Sequence, residues 1–443
     1  MKKKFSAFLL AFMMLLSSCG AGTAVTESGG ADETDAADES EGRYKDYVTG
    51  EDAVVAEFSP LDISPGRTTD EASGEYDCGL CVVSRPVDGA ESKSALYYCD
   101  LIMGETPGAH TQNGILGLVN GERVRVCPEK DCGADDICTH IVFSGEEEVS
   151  FGKYLYICGR IPLDGGFYPK TCVMRYDTET REYVKYAELD ADGVSLSVSG
   201  GYLFASAVAG EKSVVLYCFD LLDDRGYRLV YSSKHGTPAF LGAAGGYILM
   251  HDGETLSLLD GVGETAAECE VRGDIADSDV SGGMLYFTLE GGGLYRFDPS
   301  TAECVKLLDL AYRFDIYDGV LYYLEYREMA GLEYLVPFEG AGGQIEYKIE
   351  DYPVKYGGAV YFCSLADADA GSGAAEAETL FTVGDGRYLS GGLNVSSCGL
   401  IYEYFISTDE PQRVFPAATA VRDTETGEEA ILTEYWNGRE RSY

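Results

Sequence analysis

One hairpin pattern returns from about residue 75 to the C-terminus, and nothing else in the 443-residue chain restricts its fold so tightly. In each copy a glycine precedes a short aromatic or β-branched run. A variable loop follows, and a second apolar run ends at an acidic residue and a turn. The clearest copies are Gly201-Tyr202-Leu203-Phe204 leading to Leu216-Tyr217-Cys218-Phe219-Asp220, and Gly283-Met284-Leu285-Tyr286-Phe287 leading to Leu294-Tyr295-Arg296-Phe297-Asp298. Gly246-Tyr247-Ile248-Leu249 leads likewise to Asp260, and Gly152-Lys153-Tyr154-Leu155-Tyr156 to Asp177. Weaker copies begin at Gly79, Gly319, Gly358 and Gly399, with second strands ending near Asp100, Glu339, Asp385 and Asp423.

By subtraction, the leading glycines from Gly201 to Gly399 lie 45, 37, 36, 39 and 41 residues apart. A period near forty with several short strands per unit marks a β-propeller blade. An α-solenoid of similar period is excluded, because no stretch sustains a 3.6-residue apolar period and glycine interrupts every segment. Eight similar hairpins are too many for one sandwich or jelly roll. The expected fold is therefore all-β, a propeller of eight blades with seven as the alternative. Each hairpin pair makes a small twisted sheet whose faces are buried by its neighbours, so its strands read as nearly continuous apolar runs. Glycine ahead of the aromatic run permits a turn with positive φ. The pieces Asp177-Thr178-Glu179-Thr180, Asp298-Pro299-Ser300-Thr301 and Asp423-Thr424-Glu425-Thr426-Gly427 close the next turn, where Asp bonds its own downstream backbone. That repetition makes these aspartates turn formers rather than catalytic acids.

The N-terminus carries an address. Met1 to Gly20 reads MKKKFSAFLLAFMMLLSSCG, with Lys2, Lys3 and Lys4 ahead of the twelve mostly apolar residues Phe5 to Leu16. That length suits a secretory signal and falls short of a membrane span. Leu16-Ser17-Ser18-Cys19-Gly20 resembles a bacterial lipobox, which implies that Cys19 receives a diacylglycerol and becomes the new N-terminus. Ala21 to about Gly50 has almost nothing apolar to offset the cost of ordering it, and its acidic residues hold it extended. The expected organisation is a signal peptide at 1–18, lipidated Cys19 with a disordered acidic linker at 19–50, and a propeller domain at 51–443 with a Cys-rich insertion at about 120–145. Ala430 to Tyr443, with Trp436, is expected to pair with strands near Tyr44–Ser59 and close the ring.

Charge narrows the partners. Lys and Arg number 33 against 75 Asp and Glu, a formal charge of −42, and removal of Lys2, Lys3 and Lys4 makes it −45. Such a field repels nucleic acid, anionic lipid and wall polyphosphates. The membrane is thus reached through the lipid anchor, and the chain faces the extracytoplasmic side of the cell membrane.

At this point the residues resemble a family. The Tyr-rich strand after each glycine, the Leu-Tyr-x-Phe-Asp strand and the Asp-x-x-Thr turn resemble the repeats of TolB-like and quinoprotein-like β-propellers. The lipobox, acidic tether and cysteine cluster together resemble the propeller lipoproteins of anaerobic Gram-positive bacteria. The resemblance spans about residues 75–435 and implies a fold and a location, with no particular activity.

Fourteen cysteines in an exported chain point first to disulfides. Yet Cys158, Cys218 and Cys363 sit inside expected strands among Tyr, Ile and Phe, and Cys99 ends one, which reads as small core hydrophobes. One cluster differs: Cys127, Cys132, Cys138 and His140 fall within fourteen residues. They suit either a structural Cys₃His zinc site or a disulfide-stapled loop such as Cys127 to Cys138. The resembled lipoproteins carry a similar cluster with a His two residues after the second Cys. Here that position is Ala134, and His140 follows the third Cys instead. Cys78 and Cys81 lie on a strand, away from the strand-to-helix turn a thioredoxin-like motif requires. Asp190-Ala191-Asp192-Gly193 and Asp367-Ala368-Asp369 are candidate contributors to Ca²⁺ sites, with solvated loop charges the plainer reading.

The chain has no Gly-x-Ser-x-Gly elbow, no phosphate loop, no His-Glu-x-x-His and no full calcium loop. His110, His140, His235 and His251 are scattered, and Trp436 is the single tryptophan. No residue stands out as catalytic and no cofactor is implied beyond structural Zn or Ca. Two functions remain. In the favoured one, the propeller is a surface-displayed binding or assembly module whose loops grip a glycan, peptide or protein. In the other, it is a polysaccharide-active hydrolase or lyase with paired funnel carboxylates.

Overall fold

The computed structural model describes most of residues 144–325 and 358–434, strand segments within 80–127 and 328–355, and residues 45–46 and 61. Among the described residues six antiparallel four-strand sheets follow one another along the chain. Blade one is Leu80–Val87, Ala90–Ile102, Gln112–Val119 and Glu122–Arg125. Blade two is Ser144–Phe151, Tyr154–Arg160, Thr171–Asp177 and Tyr183–Leu189, with Lys45–Asp46 added parallel to its last strand. Blade three is Asp192–Ser199, Tyr202–Ala209, Ser213–Asp220 and Arg225–Ser232, and blade four is Ala239–Ala244, Tyr247–His251, Thr255–Leu259 and Thr265–Glu270. Blade five is Ile275–Ser281, Met284–Leu289, Leu294–Asp298 and Glu303–Leu308. Blade six is Ala311–Tyr317, Val320–Glu325, Ala359–Ser364 and Glu378–Thr382.

The last sheet is composite. Arg387–Ser396, Gly399–Ser407, Arg413–Arg422 and Glu429–Glu434 form a meander. The hairpin Glu333–Glu339 and Ile345–Glu350, inserted within blade six, joins it through a parallel pairing of Glu333 and Tyr334 with Arg413 and Val414. First strands of successive sheets pack side by side from Leu80–Val87 round to Arg387–Ser396. This is a β-propeller.

The expected eight blades, and the alternative of seven, give way to six and this composite sheet. The reason is local. Gly319 and Gly358 lead into the second and third strands of one sheet, separated by the insertion 326–358, so two sequence copies build one blade. The expected pairing of Ala430–Tyr443 with strands near Tyr44–Ser59 lies largely outside the described residues; within them Glu429–Glu434 pairs with Arg413–Arg422, and Lys45–Asp46 with Tyr183–Leu189.

The core lies between blades, as stacked sheets demand. Tyr156, Val173 and Tyr186 of blade two meet Leu203, Ala205 and Phe219 of blade three. Leu249, Leu256 and Leu258 of blade four meet Leu285, Phe287 and Phe297 of blade five. Tyr286 and Leu294 of blade five meet Phe314, Leu321 and Tyr323 of blade six. Leu324 and Val360 of blade six meet Leu389, Leu400 and Tyr402 of the last sheet.

In blades three, four and five the first turn is a two-residue hairpin with positive φ at both positions, supplied by Gly200-Gly201, Gly245-Gly246 and Gly282-Gly283. In a four-strand meander the first and third turns emerge at one end. Across blades they share one face, because a Cβ on Gly245 would stand 3.1 Å from Pro299 Cβ and 3.4 Å from the Gly283 carbonyl. The opposite face receives the second connections, including the insertion 326–358.

Candidate functional site

The strand nearest the axis is the one before each glycine turn, rather than the aromatic strand after it. An inner strand leaves one edge of N–H and C=O groups without a ladder partner, and neighbouring side chains must satisfy them. In blade three Ser199 does so, its hydroxyl donating to the Ala243 carbonyl of blade four at 3.1 Å and accepting from the Ala243 amide at 3.3 Å. Further round, aspartates take over. Asp277 Oδ2 accepts the Phe314 amide of blade six at 3.1 Å, and Asp315 Oδ2 accepts the Val395 amide of the last sheet. The other oxygens of these side chains bond locally, Asp277 Oδ1 to the Ser278 amide at 3.0 Å and Asp315 Oδ1 to the Ile316 amide at 2.8 Å. Asp279 Oδ1 accepts the Val280 amide at 2.6 Å.

Asp279 and Asp315 occupy one level. Each lies two residues before the last ladder pair of its first turn, Ser281 with Met284 and Tyr317 with Val320. The same level is held by Ser197 in blade three, Gly242 in blade four and Asn394 in the last sheet. A polar sector thus runs from Asp277 and Asp279 through Asp315 to Asn394. Burial, then the Asp279 charge, pushes the Asp315 carboxyl well above the usual carboxylate range, against the pull of the Val395 and Ile316 amides. Chemically the sector offers carboxyl oxygens already engaged as acceptors of backbone amides. Sequence reading missed these three aspartates. Their signal was the alternation Asp277-x-Asp279-x-Ser281 directly before Gly282-Gly283, matched by Ser195-x-Ser197-x-Ser199 before Gly200-Gly201.

The candidates expected from sequence fall elsewhere in the molecule, or outside the described residues, where Cys19, Cys132, Cys138 and His140 lie. Cys127 is a fully buried side chain just after the last strand of blade one. Cys158, Cys218 and Cys363 are core residues, as their flanking apolar neighbours predict, and Cys172 is buried as well. The repeated aspartates are turn formers: Asp177 Oδ1 accepts the Glu179 and Thr180 amides at 2.8 and 3.0 Å, and Asp423 Oδ1 those of Glu425 and Thr426 at 2.9 and 2.6 Å. His251 is buried, with Nε2 donating to the Val271 carbonyl at 3.0 Å and Nδ1 accepting from the Gly253 amide at 3.3 Å. Asp369 ends the one-turn helix Leu365–Asp369 and takes the Tyr286 hydroxyl at 3.2 Å and Arg296 at 3.3 Å. Among the described residues no group of three or more His, Cys, Asp or Glu is placed to hold a metal ion, and no helix is long and apolar enough to cross a membrane.

No protein-family model and no curated protein matches the sequence. Among solved structures, a puromycin hydrolase S511A mutant complexed with PGG aligns at 11% identity over 76% of this chain and 51% of its own, TM-score 0.45. An acylaminoacyl peptidase of Pyrococcus horikoshii aligns at 13% identity over 82% of this chain and 53% of its own, TM-score 0.42. The β-propeller domain of the Trilobed protease from Pyrococcus furiosus aligns at 12% identity over 82% and 99%, TM-score 0.41. The chain spans about half the length of the first two. Likeness at this level leaves the fold resting on the strand order itself: this chain is a β-propeller by its own topology.

Proposed function

We propose that this chain is a membrane-anchored extracytoplasmic lipoprotein whose propeller is a binding or assembly module for a glycan, peptide or protein. The observation that carries this reading is the insertion 326–358, whose hairpin Glu333–Glu339 and Ile345–Glu350 leaves blade six to pair with the last sheet. On the opposite face most turns are two-residue glycine turns or aspartate-closed turns, and blade six adds the helix Leu365–Asp369 there. A long insertion carried on a ring of packed sheets is what a scaffold that presents loops to a partner requires. The test is binding of the purified ectodomain to glycan and peptide arrays. Replacing residues 333–350 with a Gly-Ser linker should abolish retention, while Thr178→Ala on the tight-turn face should leave it intact. Anchoring is tested separately: a palmitate analogue should label the wild type and fail to label Cys19→Ala.

A second reading, polysaccharide hydrolysis or elimination, draws on the carboxyls at Asp279 and Asp315, which stand at one level on adjacent inner strands. It requires release of reducing ends from a polysaccharide, lost in Asp279→Asn. The engagement of the Asp277 and Asp315 oxygens by backbone amides favours the binding module.

A further inference from the structure

The composite sheet ends on an open edge. Among the described residues Ile345–Glu350 pairs on one side alone, with Glu333–Glu339, which itself pairs onward with the last sheet. A strand of six residues with one side unpaired offers a row of N–H and C=O groups to an extended chain that fits it. The two strands of the hairpin differ in this respect. Glu333–Glu339 carries Pro337, which has no N–H to give a ladder, whereas Ile345–Glu350 has neither Pro nor Gly.

The order of residues along that edge selects the chain that fits. Alternation puts Ile345, Tyr347 and Ile349 on one face and Glu346, Lys348 and Glu350 on the other. A single Lys at an edge guards it against pairing. A Lys two residues from a Glu is instead complementary to its own antiparallel copy. With Tyr347 opposite the second copy's Tyr347, each Glu346 stands opposite a Lys348 and each Ile345 opposite an Ile349. Sliding the copies by two residues sets Lys348 against Lys348 or Glu346 against Glu346. Sliding by one sets the apolar face against the charged one.

We propose that this edge is a self-association surface: two copies of the chain pair antiparallel through Ile345–Glu350, about a twofold axis at Tyr347. The proposal rests on the reading of the propeller as an assembly module and names a second copy as its partner. Six residues a side make a small interface, so the dimer is weak and reversible.

The experiment is sedimentation equilibrium of the full chain over a concentration series, on the wild type, Glu346→Lys, Lys348→Glu and the double variant. Each single variant sets like charges opposite each other at two places and should weaken association about tenfold. The double variant restores both Glu–Lys pairs and should return to the wild-type constant. The formal charge of −42 sharpens the test, because by net charge alone Glu346→Lys eases repulsion between copies. Only local pairing makes it weaken them. Equal association in all four proteins, a double variant as weak as the singles, or a wild type that stays monomeric overturns the proposal. So does slow amide exchange at Tyr347 in a monomer, which would show that another segment holds the edge. Retention on glycan and peptide arrays is a separate readout, and its loss with self-association intact counts against the ligand-binding reading alone.

Discussion

The Leu61 amide donates to the Gly261 carbonyl at 2.8 Å, tying a residue that precedes blade one in sequence to the third turn of blade four. The Leu61 side chain is 8% exposed and packs with Tyr202, Phe204 and Leu216 of blade three and Ile248 and Met250 of blade four. Glycine is required opposite it, since a Cβ at position 261 would stand 2.5 Å from the Leu61 carbonyl oxygen. Gly261→Val should therefore eject Leu61 from the groove between two blades. The expected loss is about 2–3 kcal/mol, comparable to Leu61→Ala, and the double variant should cost little more than either alone. Chemical denaturation of the four proteins measures it. Additive losses would mean that the two residues act independently.

A second cross-blade tie joins Tyr286 of blade five to the helix Leu365–Asp369 of blade six. The hydroxyl of Tyr286, a residue 2% exposed, donates to Asp369, which Arg296 also reaches at 3.3 Å. Removing the hydroxyl in Tyr286→Phe should cost about 1–2 kcal/mol, and Asp369→Ala more, because it leaves a buried hydroxyl without its acceptor. Burial, and after it the Asp369 charge, raises the Tyr286 hydroxyl above its usual value. The folded chain thus resists ionisation there, and stability should drop as pH climbs past about 10, where the unfolded phenol ionises. In Tyr286→Phe that alkaline loss should be smaller, as thermal melts at pH 8 to 11 would record.

The two faces of the molecule were not equally legible from sequence. Turns were readable because their chemistry is local: Gly-Gly pairs demand positive φ and Asp177, Asp298 and Asp423 bond the residues just after them. Aromatic second strands were readable because Leu203, Leu249 and Leu285 are fully buried on an apolar sheet. The inner strands were not, because Asp277, Asp315 and Ser199 look like loop residues until the neighbouring sheet supplies the amides they serve. Blade number failed for a related reason. An insertion that splits blade six between Glu325 and Ala359 mimics a repeat boundary, and only strand pairing distinguishes the two. The roles of Asp277 and Asp315 depend on contacts between residues 37 and 80 positions apart, which no local pattern encodes.

The cysteine-bearing link is testable without knowing its partner. Cys127 enters it from a fully buried position at the end of blade one. If Cys127, Cys132, Cys138 and His140 hold zinc, one equivalent should co-purify and leave with chelation or acid, because thiolate ligands must be deprotonated. Cys132→Ser should then lose the ion. If a Cys127–Cys138 disulfide holds the link instead, the same variant should keep it, and mass spectrometry of unreduced protein should show the linked pair.

The turn at Asp177 makes a prediction about stability across pH. Asp177 Oδ2 pairs with Lys153 at 2.8 Å, while its Oδ1 holds the Glu179 and Thr180 amides. Burial pulls its pKa upward, but the Lys153 hydrogen bond and the two amides outweigh it and hold the carboxyl below the usual range. Lys153 is raised in return, chiefly by its hydrogen bond to Asp177. A depressed carboxyl stabilises the fold above the unfolded value of about 3.9 and ceases to as pH falls through the native value. A raised ammonium does so below about 10.4 and ceases to as pH climbs past it. The pair therefore contributes between these limits. Asp177→Ala should cost roughly 1–2 kcal/mol at pH 7, most of it from the lost amide acceptor, since the side chain of Lys153 is 33% exposed and its ion pair is screened. Lys153→Met should cost less, and salt should erase that smaller loss while leaving the Asp177→Ala loss largely in place. Below pH 4 the wild type and Asp177→Ala should converge. Exchange of the Thr180 amide across the same pH range measures the turn directly, and protection that persists in acid would mean that the carboxylate does not hold it.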